Sequence, residues 1–350
     1  MNIFNKKILT FLSVIIVAIL NNSCLEEVIP PPFTGELNKT AEMLVYFEEQ
    51  GDFPNSAFAP ALIEAQELFF NINNYLILDL RPHDEYVAGH IENSINVISD
   101  SLYQYVSEIQ NPNYGKIVLV SKNGQSSAYF TCLLRLAGYN NIFTLNYGMA
   151  SWNNDFADEW FDAIGNDTEV FSYTNDSYPM NGFTSLPRQI SEKENQPLED
   201  YIHDKIVNII ADGFADGLVF RRRLVIGPSD YTICFGSASR LYFARRVGQL
   251  AELGHAVGVI FYQADPAYDF RSVNNLQTLP TDRTIFIYGA TGQLSACMVA
   301  YLRVLGYNAV TLLFGANQLI YGRMLDDPEL NGLAFTSFKV MNFDYVTGNR

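Results

Sequence analysis

An internal repeat constrains the fold of this chain more than any other feature of its sequence. Residues 124–140, GQSSAYFTCLLRLAGYN, align with residues 292–308, GQLSACMVAYLRVLGYN, at an offset of 168 positions. The two segments are identical at Gly124, Gln125, Ser127, Ala128, Leu134, Arg135, Gly138, Tyr139 and Asn140 of the first copy. A match of this length indicates that one supersecondary unit occurs twice.

The surroundings of each copy predict the class of fold. A β-rich apolar run, KIVLVS or TIFIYG, precedes each copy, and a second such run, IFTLN or AVTLLF, follows it. Between them, apolar residues at spacings of three and four indicate a helix that stops at a Gly-Tyr pair. Strand, loop, helix and strand in this order predict an α/β fold with mainly parallel sheets. With 350 residues, 48% of them hydrophobic, the chain is long enough for about two domains.

The loop between the first strand and the helix is the candidate functional site in each copy. Backbone N–H groups converge at such a turn and the helix dipole adds partial positive charge, so a weak anion site is expected in the first loop, whereas the second loop offers no cationic side chain. An alternative is that Gly124 and Gly292 only serve the turn while the polar residues cap the helix. The candidate residues are Ser121, Lys122, Asn123, Gly124, Gln125, Ser126 and Ser127, and in the second loop Gly289, Ala290, Thr291, Gly292, Gln293 and Leu294.

Motifs upstream and downstream of the first loop resemble those of rhodanese domains. Asp79 and Arg81 end a strand in LILDLR, and Gly89-His90-Ile91 follows, which is similar to the Asp-x-Arg and Gly-His-Ile signature of that family. Gly138-Tyr139 and a later Gly148-x-x-x-Trp152 also match. The second half is weaker, since only Gly254, His255 and Gly258 resemble the upstream elements. The resemblance implies two rhodanese-like domains, each a mainly parallel sheet flanked by helices, at residues 55–160 and, in degenerate form, 197–350, joined by a linker at 161–196.

The resemblance also implies a reaction that this chain lacks the residue to perform. In rhodaneses the first loop residue is a cysteine that carries sulfur as a persulfide, but Ser121 and Gly289 stand at that position here. We therefore expect no catalytic residue, no cofactor and no metal, and a protein that binds a partner or a small anion. The alternatives are a sulfurtransferase that uses a displaced cysteine or a partner's thiol, and a hydrolase that uses Ser121 with a general base. Cys132, Cys234 and Cys297 lie within apolar patterns and are expected to be buried.

The first 24 residues predict export. Lys6 and Lys7 precede an apolar stretch from Ile8 to Leu20, which is shorter than the roughly 20 residues of a membrane span and is typical of a signal peptide. Ser23-Cys24 resembles the cleavage site of bacterial lipoproteins, so residues 1–23 are predicted to be a signal peptide and Cys24 the lipid attachment site. Ordinary cleavage nearby and an uncleaved anchor are the alternatives. Residues 24–54 are interpreted as a tether and N-terminal extension on the cell envelope.

The charge of the chain excludes nucleic acid as a partner. Without Lys6 and Lys7, the chain has 20 basic and 38 acidic residues, so its formal net charge is 20 − 38 = −18. A surface of this charge repels phosphate backbones. The run Arg221 to Arg223 is the one basic cluster and is interpreted as a solvated strand edge. The expected contacts are therefore a protein partner or small anion, and a membrane reached through the lipid anchor.

Overall fold

The computed structural model describes residues 38–109, 114–166, 173–193, 195–214, 219–220, 231–243, 246–247, 250–251, 254–265, 269–271 and 274–348. The predictions for the signal peptide, for Cys24 and for Arg221 to Arg223 lie outside these residues, as does most of the tether.

Within these ranges the chain forms two five-stranded sheets and two short ribbons, whose strands are numbered in chain order. They are β1 Leu62–Ile63, β2 Leu76–Asp79, β3 Ile95–Asn96, β4 Ile117–Val120, β5 Ile142–Leu145, β6 Tyr173–Thr174, β7 Val219–Phe220, β8 Tyr231–Gly236, β9 Arg246–Val247, β10 Leu250–Ala251, β11 His255–Ala256, β12 Ile260–Gln263, β13 Ile285–Tyr288 and β14 Ala309–Leu312.

The two sheets have the same strand order. The first runs β1-β5-β4-β2-β3 and the second runs β7-β14-β13-β8-β12, with every neighbouring pair parallel. β2 and β4 are buried along their whole length, because a parallel sheet is covered on both faces and its strands read as continuous apolar runs. The predicted α/β fold with parallel sheets flanked by helices is confirmed. The repeat seen in the sequence extends to the order of all five strands.

Helices cover the faces of both sheets. They are α1 Lys39–Glu49, α2 Ala65–Phe70, α3 His83–Ala88, α4 Ser99–Glu108, α5 Gln125–Leu136, α6 Met149–Trp152, α7 Asp158–Ala163, α8 Leu198–Asp212, α9 Gln293–Val304, α10 Ala316–Leu319 and α11 Tyr321–Asp326. In the described part of the chain, none of them combines the length and the apolar character that crossing a bilayer requires.

The two helices of the repeat, α5 and α9, pack directly against each other between the sheets. This position explains their composition: from Ser127 to Leu136 every residue of α5 is buried, and α9 is buried almost throughout. A helix enclosed on all sides has no solvent face to keep polar. The sequence pattern predicted helices with one apolar face, and the structure shows that the opposite face is covered too.

The arginine shared by both copies of the repeat anchors each helix to the following strand. Nε of Arg135 donates to the carbonyl of Ile142 at 2.7 Å, and Nε of Arg303 donates to that of Ala309 at 2.9 Å. Each guanidinium therefore satisfies a backbone acceptor at the start of the strand that follows its helix. This repeated contact gives the arginine a structural role in both halves.

The first helix of the described chain packs on the second half, and the last segment packs on the first half. α1 packs on the second half, where the Phe47 ring lies 6.4 Å from that of Tyr301. The final segment, residues 341–348, crosses the first half: His90 and Val346 exchange two backbone hydrogen bonds of 2.9 Å. Nε1 of Trp152 donates to the carbonyl of Asp344 at 2.9 Å. The halves of the repeat are thus joined by more than the α5–α9 contact.

Candidate functional site

The first loop lies where the sequence predicts it, at the carboxyl end of β4 and before α5. A glycine closes it from the other side: a Cβ on Gly148 would lie 2.2 Å from the carbonyl oxygen of Ser121. The second loop repeats this contact, since a Cβ on Gly315 would lie 2.2 Å from the oxygen of Gly289. Both glycines also have a positive φ, so the backbone conformation as well as the short contact requires glycine at each position.

The Ser121 hydroxyl occupies the space at which the backbone donors of its own loop converge. Its oxygen accepts from the backbone N–H of Gly124 at 3.1 Å and from that of Ser127 at 3.4 Å. Ser127 Oγ donates to the carbonyl of Gly124 at 3.1 Å, so in the 3.0 Å contact between the two hydroxyls Ser121 is the donor. Ser121 is 3% exposed. Two of the donors expected to hold an anion are thereby used within the loop.

This arrangement does not activate Ser121 as a nucleophile. Its proton is directed to Ser127 and from there to a backbone carbonyl, neither of which is a general base. The described histidines are engaged elsewhere: His83 contacts Asn96, and His203 lies beside Asp204. His90 and His255 each contact a backbone carbonyl through Nδ1. None of these contacts reaches Ser121.

The remaining residues of the first loop have structural contacts or face solvent. The side-chain oxygen of Asn123 accepts from the backbone N–H of Gln125 at 3.1 Å, and its carbonyl accepts from the Trp160 indole at 3.2 Å. Lys122 is exposed and its Nζ is 3.9 Å from a carboxylate oxygen of Glu85. Ser126 is half-buried. Lys122 is therefore the single cation that the loop presents to solvent.

The two loops meet across the α5–α9 contact. Oε1 of Gln125 accepts from the backbone N–H of Phe314 in the other half at 2.9 Å, and a Cβ on Gly292 would lie 2.2 Å from that oxygen. In the reciprocal contact, a Cβ on Gly124 would lie 2.8 Å from Nε2 of Gln293. Reciprocal contacts of this kind are those of a two-fold interface. The first residue of each helix thus packs on the glycine of the other loop.

The second loop offers less for a ligand than the first. Gly289 has no side chain, and the carbonyl of Ala290 accepts from both the backbone and the side-chain amide of Asn317. Gln293 is 1% exposed, Thr291 and Leu294 are half-buried, and none of the six residues is ionisable. The second loop therefore presents no charge of either sign.

The Asp79–Arg81 motif forms a buried clamp. Nη2 of Arg81 lies 2.6 Å from Oδ2 of Asp79 and donates to the carbonyl of Gly89 at 2.7 Å. Both side chains are at most 4% exposed. The register places Cys234 of β8 where Asp79 stands in β2, because Asp79 pairs with Val120 and Cys234 with Tyr288. The second half replaces this ion pair with Cys234 and Gly236.

The histidine motif, by contrast, is present in both halves. The ring of His90 stacks on Tyr86 at 3.8 Å, and the ring of His255 stacks on Tyr242 at 3.4 Å. Each tyrosine hydroxyl donates to the carbonyl four residues after the histidine, at Ser94 and at Val259. Tyr242 was not singled out in the sequence, because it lies 13 positions before its histidine whereas Tyr86 lies four before.

The described cysteines are buried, as the sequence predicted, and are poor nucleophiles. Cys132, Cys234 and Cys297 are free thiols with no exposed surface. Burial raises the pKa of Cys234 to about 12, and burial together with the neighbouring Cys297 raises the pKa of Cys132 well above its ordinary value. The thiolate is the reactive form, so the raised pKa values keep Cys132 and Cys234 protonated at neutral pH, and all three side chains are enclosed.

A groove of about 810 Å³ lies beside the first loop and was not predicted from the sequence. Phe314 and Gln318 of the second half form part of its wall. Its ionisable lining consists of two cations, Arg81 and Lys122, and five carboxylates, Glu85, Asp155, Asp158, Glu159 and Asp162. Because Arg81 is already paired with Asp79, the groove is strongly negative. The acidic run after Trp152, NNDFADEWFD, is the sequence signal that could have indicated it.

A metal site is not evident at this groove. No group of three or more histidine, cysteine, aspartate or glutamate side chains in the described part of the chain is arranged to hold a metal ion.

Comparison with known proteins finds a match to one protein family within the first half. The model of the Rhodanese-like domain matches residues 63–155. The uncharacterized protein YibN of Escherichia coli strain K12 is 29% identical over 83 residues, which are 23% of this chain and 58% of that protein. The chain thus spans a little over half the length of the curated relatives it matches.

Solved structures with similarity to the chain include two from other microorganisms. The thiosulfate sulfurtransferase of Pseudomonas aeruginosa is 15% identical, with 81% of this chain and 68% of that one covered and a TM-score of 0.26. A rhodanese-related protein of Thermoplasma volcanium is 23% identical, with 28% of this chain and 92% of that one covered and a TM-score of 0.24. The family match covers the segment that carries the Asp79–Arg81 clamp, the first loop and the Gly148–Trp152 turn. Residues 63–155 are therefore similar to a rhodanese-like domain.

Proposed function

We propose that this protein is a tandem rhodanese-like binding protein that does not transfer sulfur. One observation supports this above the others: a serine hydroxyl with three hydrogen-bond partners fills the first loop, at the position where the family has its cysteine. A hydroxyl cannot hold a persulfide. The equivalent residue of the second loop, Gly289, has no side chain at all.

The competing function is sulfur transfer through a displaced cysteine or a partner's thiol. The burial of Cys132, Cys234 and Cys297 weighs against the first of these routes. The test has two arms: incubation of the purified chain with thiosulfate alone, followed by mass spectrometry for a persulfide, and incubation with thiosulfate and cyanide, followed by a thiocyanate assay. We expect no thiocyanate and no adduct from the wild type, whereas Ser121→Cys restores the family residue and is expected to acquire the adduct. Turnover by the wild type would overturn the proposal.

The charge of the groove indicates the kind of partner. Five carboxylates outweigh the one cation, Lys122, that is not part of the Asp79–Arg81 pair, so the groove repels a small anion such as thiosulfate. The convergent donors of the loop already bind Ser121. We therefore infer that the groove binds a protein segment that carries lysine or arginine, rather than the small anion that the loop alone suggests. Potentials of complementary sign speed such association and make it sensitive to salt.

The charge of the groove can be tested with a lysine-rich peptide as the probe. We expect binding that weakens as salt is raised, and at least a tenfold loss of affinity in the double variant Asp158→Asn/Glu159→Gln. Asp282→Asn, an exposed carboxylate outside the groove, is the matched control. Equal affinity of both variants would exclude the groove as the binding surface.

We further propose that the chain is an envelope lipoprotein attached through Cys24. The support is the charged start, the short apolar stretch and Ser23-Cys24 in the sequence. Mass spectrometry of the mature N-terminus tests this directly: a diacylated Cys24 is expected, and an unmodified N-terminus at another residue would contradict it.

A further inference from the structure

A second cavity, separate from the groove, lies at the strand ends of the other half. It has a volume of about 220 Å³ and lies where β8 ends, at Phe235 and Ser237, and where α9 begins, at Leu294. A loop of the first half, residues 54–57 and 59, forms the facing wall. Crevices at the carboxyl ends of parallel strands are the usual place for ligands in open α/β sheets.

One wall of this cavity contains a buried carboxylate, one oxygen of which accepts no hydrogen bond from the described residues. Asp269 lines the cavity and is 1% exposed. Its Oδ1 accepts from the backbone N–H of Arg271 at 3.1 Å and from Nδ2 of Asn274 at 3.0 Å. Its Oδ2 accepts no hydrogen bond from the described residues and lies 3.5 Å from Nε of Arg271. Buried polar atoms are rarely left without a hydrogen-bond partner, so a ligand that donates a hydrogen bond to this enclosed oxygen would satisfy it.

The charges of the described residues around Asp269 do not balance. Nε of Arg271 donates to Oδ2 of Asp52 at 2.9 Å, and Asp52 is itself only 6% exposed. One guanidinium thus faces two buried carboxylates, so these three groups together carry a net charge of one negative unit. Buried charge is unfavourable unless it is paired, so a cation in the cavity would stabilise this site.

The rest of the lining limits the ligand to a small molecule with an apolar body. Six side chains of the wall are apolar: Pro54, Ala57, Ala59, Phe235, Ala264 and Leu294. The side chain of Asn55 is already used, because its oxygen accepts from the N–H of Phe270 and its amide donates to Asp52. Drug-sized ligands occupy about 300–1,000 Å³, so this cavity is suited to something smaller.

The geometry of the carboxylate favours an ammonium over a guanidinium. A guanidinium binds best with two parallel hydrogen bonds to both oxygens of a carboxylate, and Oδ1 of Asp269 is already occupied by two donors. An ammonium is a compact point charge that needs only one free oxygen. We propose that this cavity binds a small primary amine, with its ammonium on Oδ2 of Asp269 and its short hydrocarbon body against Phe235 and Leu294.

The test is calorimetric titration of the full chain with 2-phenylethylamine and n-butylamine, with 2-phenylethanol as the neutral control. We expect saturable binding of at least one amine and at least tenfold weaker binding of the alcohol. Asp269→Asn keeps the size of the side chain while removing its charge, and should weaken amine binding at least tenfold. Equal affinity of amine and alcohol, or no saturable binding of either amine, would overturn the proposal.

A second variant separates loss of the site from loss of the fold. Ala57 lines the cavity and is exposed, so Ala57→Trp is expected to fold normally while its side chain obstructs the cavity. It should abolish amine binding. Asp282→Asn removes an exposed carboxylate outside both the groove and this cavity and should leave amine binding unchanged, which distinguishes this site from general attraction to an acidic surface. Amine binding that survives Ala57→Trp, or that is lost in Asp282→Asn, would contradict the assignment.

Discussion

Ser121 shows how one side chain changes what a turn can bind. The sequence predicted convergent donors at this turn, and the structure has them, but two of them bind the serine oxygen itself. The orientation of a hydroxyl depends on neighbours such as Ser127, which a strand-loop-helix pattern does not specify. The donors were therefore predictable, whereas their partner was not.

His255 provides a prediction for the pH dependence of stability. Burial lowers the pKa of His255, and the nearby positive charge of Arg323 acts in the same direction. The unfolded chain, with a histidine pKa of about 6.5, therefore binds a proton more readily than the folded chain. The neutral ring therefore contributes fully to folding stability above the pKa of the unfolded chain. This contribution is lost as the pH falls from there through the lower pKa of His255 in the folded chain.

The test compares urea denaturation at pH 7.5 and pH 5.5 for the wild type and His255→Asn. Asparagine keeps a donor where Nδ1 contacts the carbonyl of Tyr242, but it does not titrate. The wild type should lose more stability on acidification than the variant. An equal loss in both would show that another group is responsible.

Among the elements, those of the repeat were the most predictable. Strands and helices that follow the two loops lie where the sequence placed them, because both copies share periodicity and stop signals. The upstream part of the second half was less predictable. Cys234 replaces the aspartate of the clamp, and the Tyr242–His255 pair is separated by nine more residues than its counterpart. In this part of the second half, the strand order and the Tyr242–His255 stacking depend on packing between distant residues, which local sequence patterns do not reveal.

The contact between α5 and α9 predicts different effects for two equivalent residues. Gln125 accepts from the N–H of Phe314, so Gln125→Leu would leave that buried donor unpaired at a cost of about 1–3 kcal/mol. Gln293 is the same residue in the other copy, but neither atom of its amide has a hydrogen-bond partner in the described part of the chain. Gln293→Leu removes an unsatisfied amide and should be neutral or stabilising.

Urea unfolding of the two matched variants checks this prediction. The midpoint should fall clearly in Gln125→Leu and remain the same or rise in Gln293→Leu, with the slope unchanged in both. Similar losses in the two variants would mean that the contact is energetically symmetric.

In the whole molecule, each half depends on segments that come from elsewhere in the chain. α1 contacts the second half through Phe47, and the final segment covers Trp152 of the first. Trp160 of the first half lies 4.8 Å from the Phe314 ring of the second. We therefore expect the described unit to unfold in a single transition, with both halves lost together.

Deletion of residues 341–350 tests the contribution of the final segment. The deletion removes the Phe343 ring, which lies 5.1 Å from Trp152, and the hydrogen bond that Asp344 accepts from the indole. We expect a loss of about 2 kcal/mol in stability and a red shift of Trp152 emission, measured in a Trp160→Phe background. Phe338→Ala, at a ring that is 89% exposed, is the control and should change neither quantity. An unshifted emission would mean that the segment does not shield Trp152.

The bridge between His90 and Val346 also limits what can form during translation. The ribosome adds Val346 256 positions after His90 (346 − 90), so the first half cannot gain this bridge until then, however early its strands are made. Until that point, the indole of Trp152 lacks the carbonyl of Asp344 to which it donates in the complete fold.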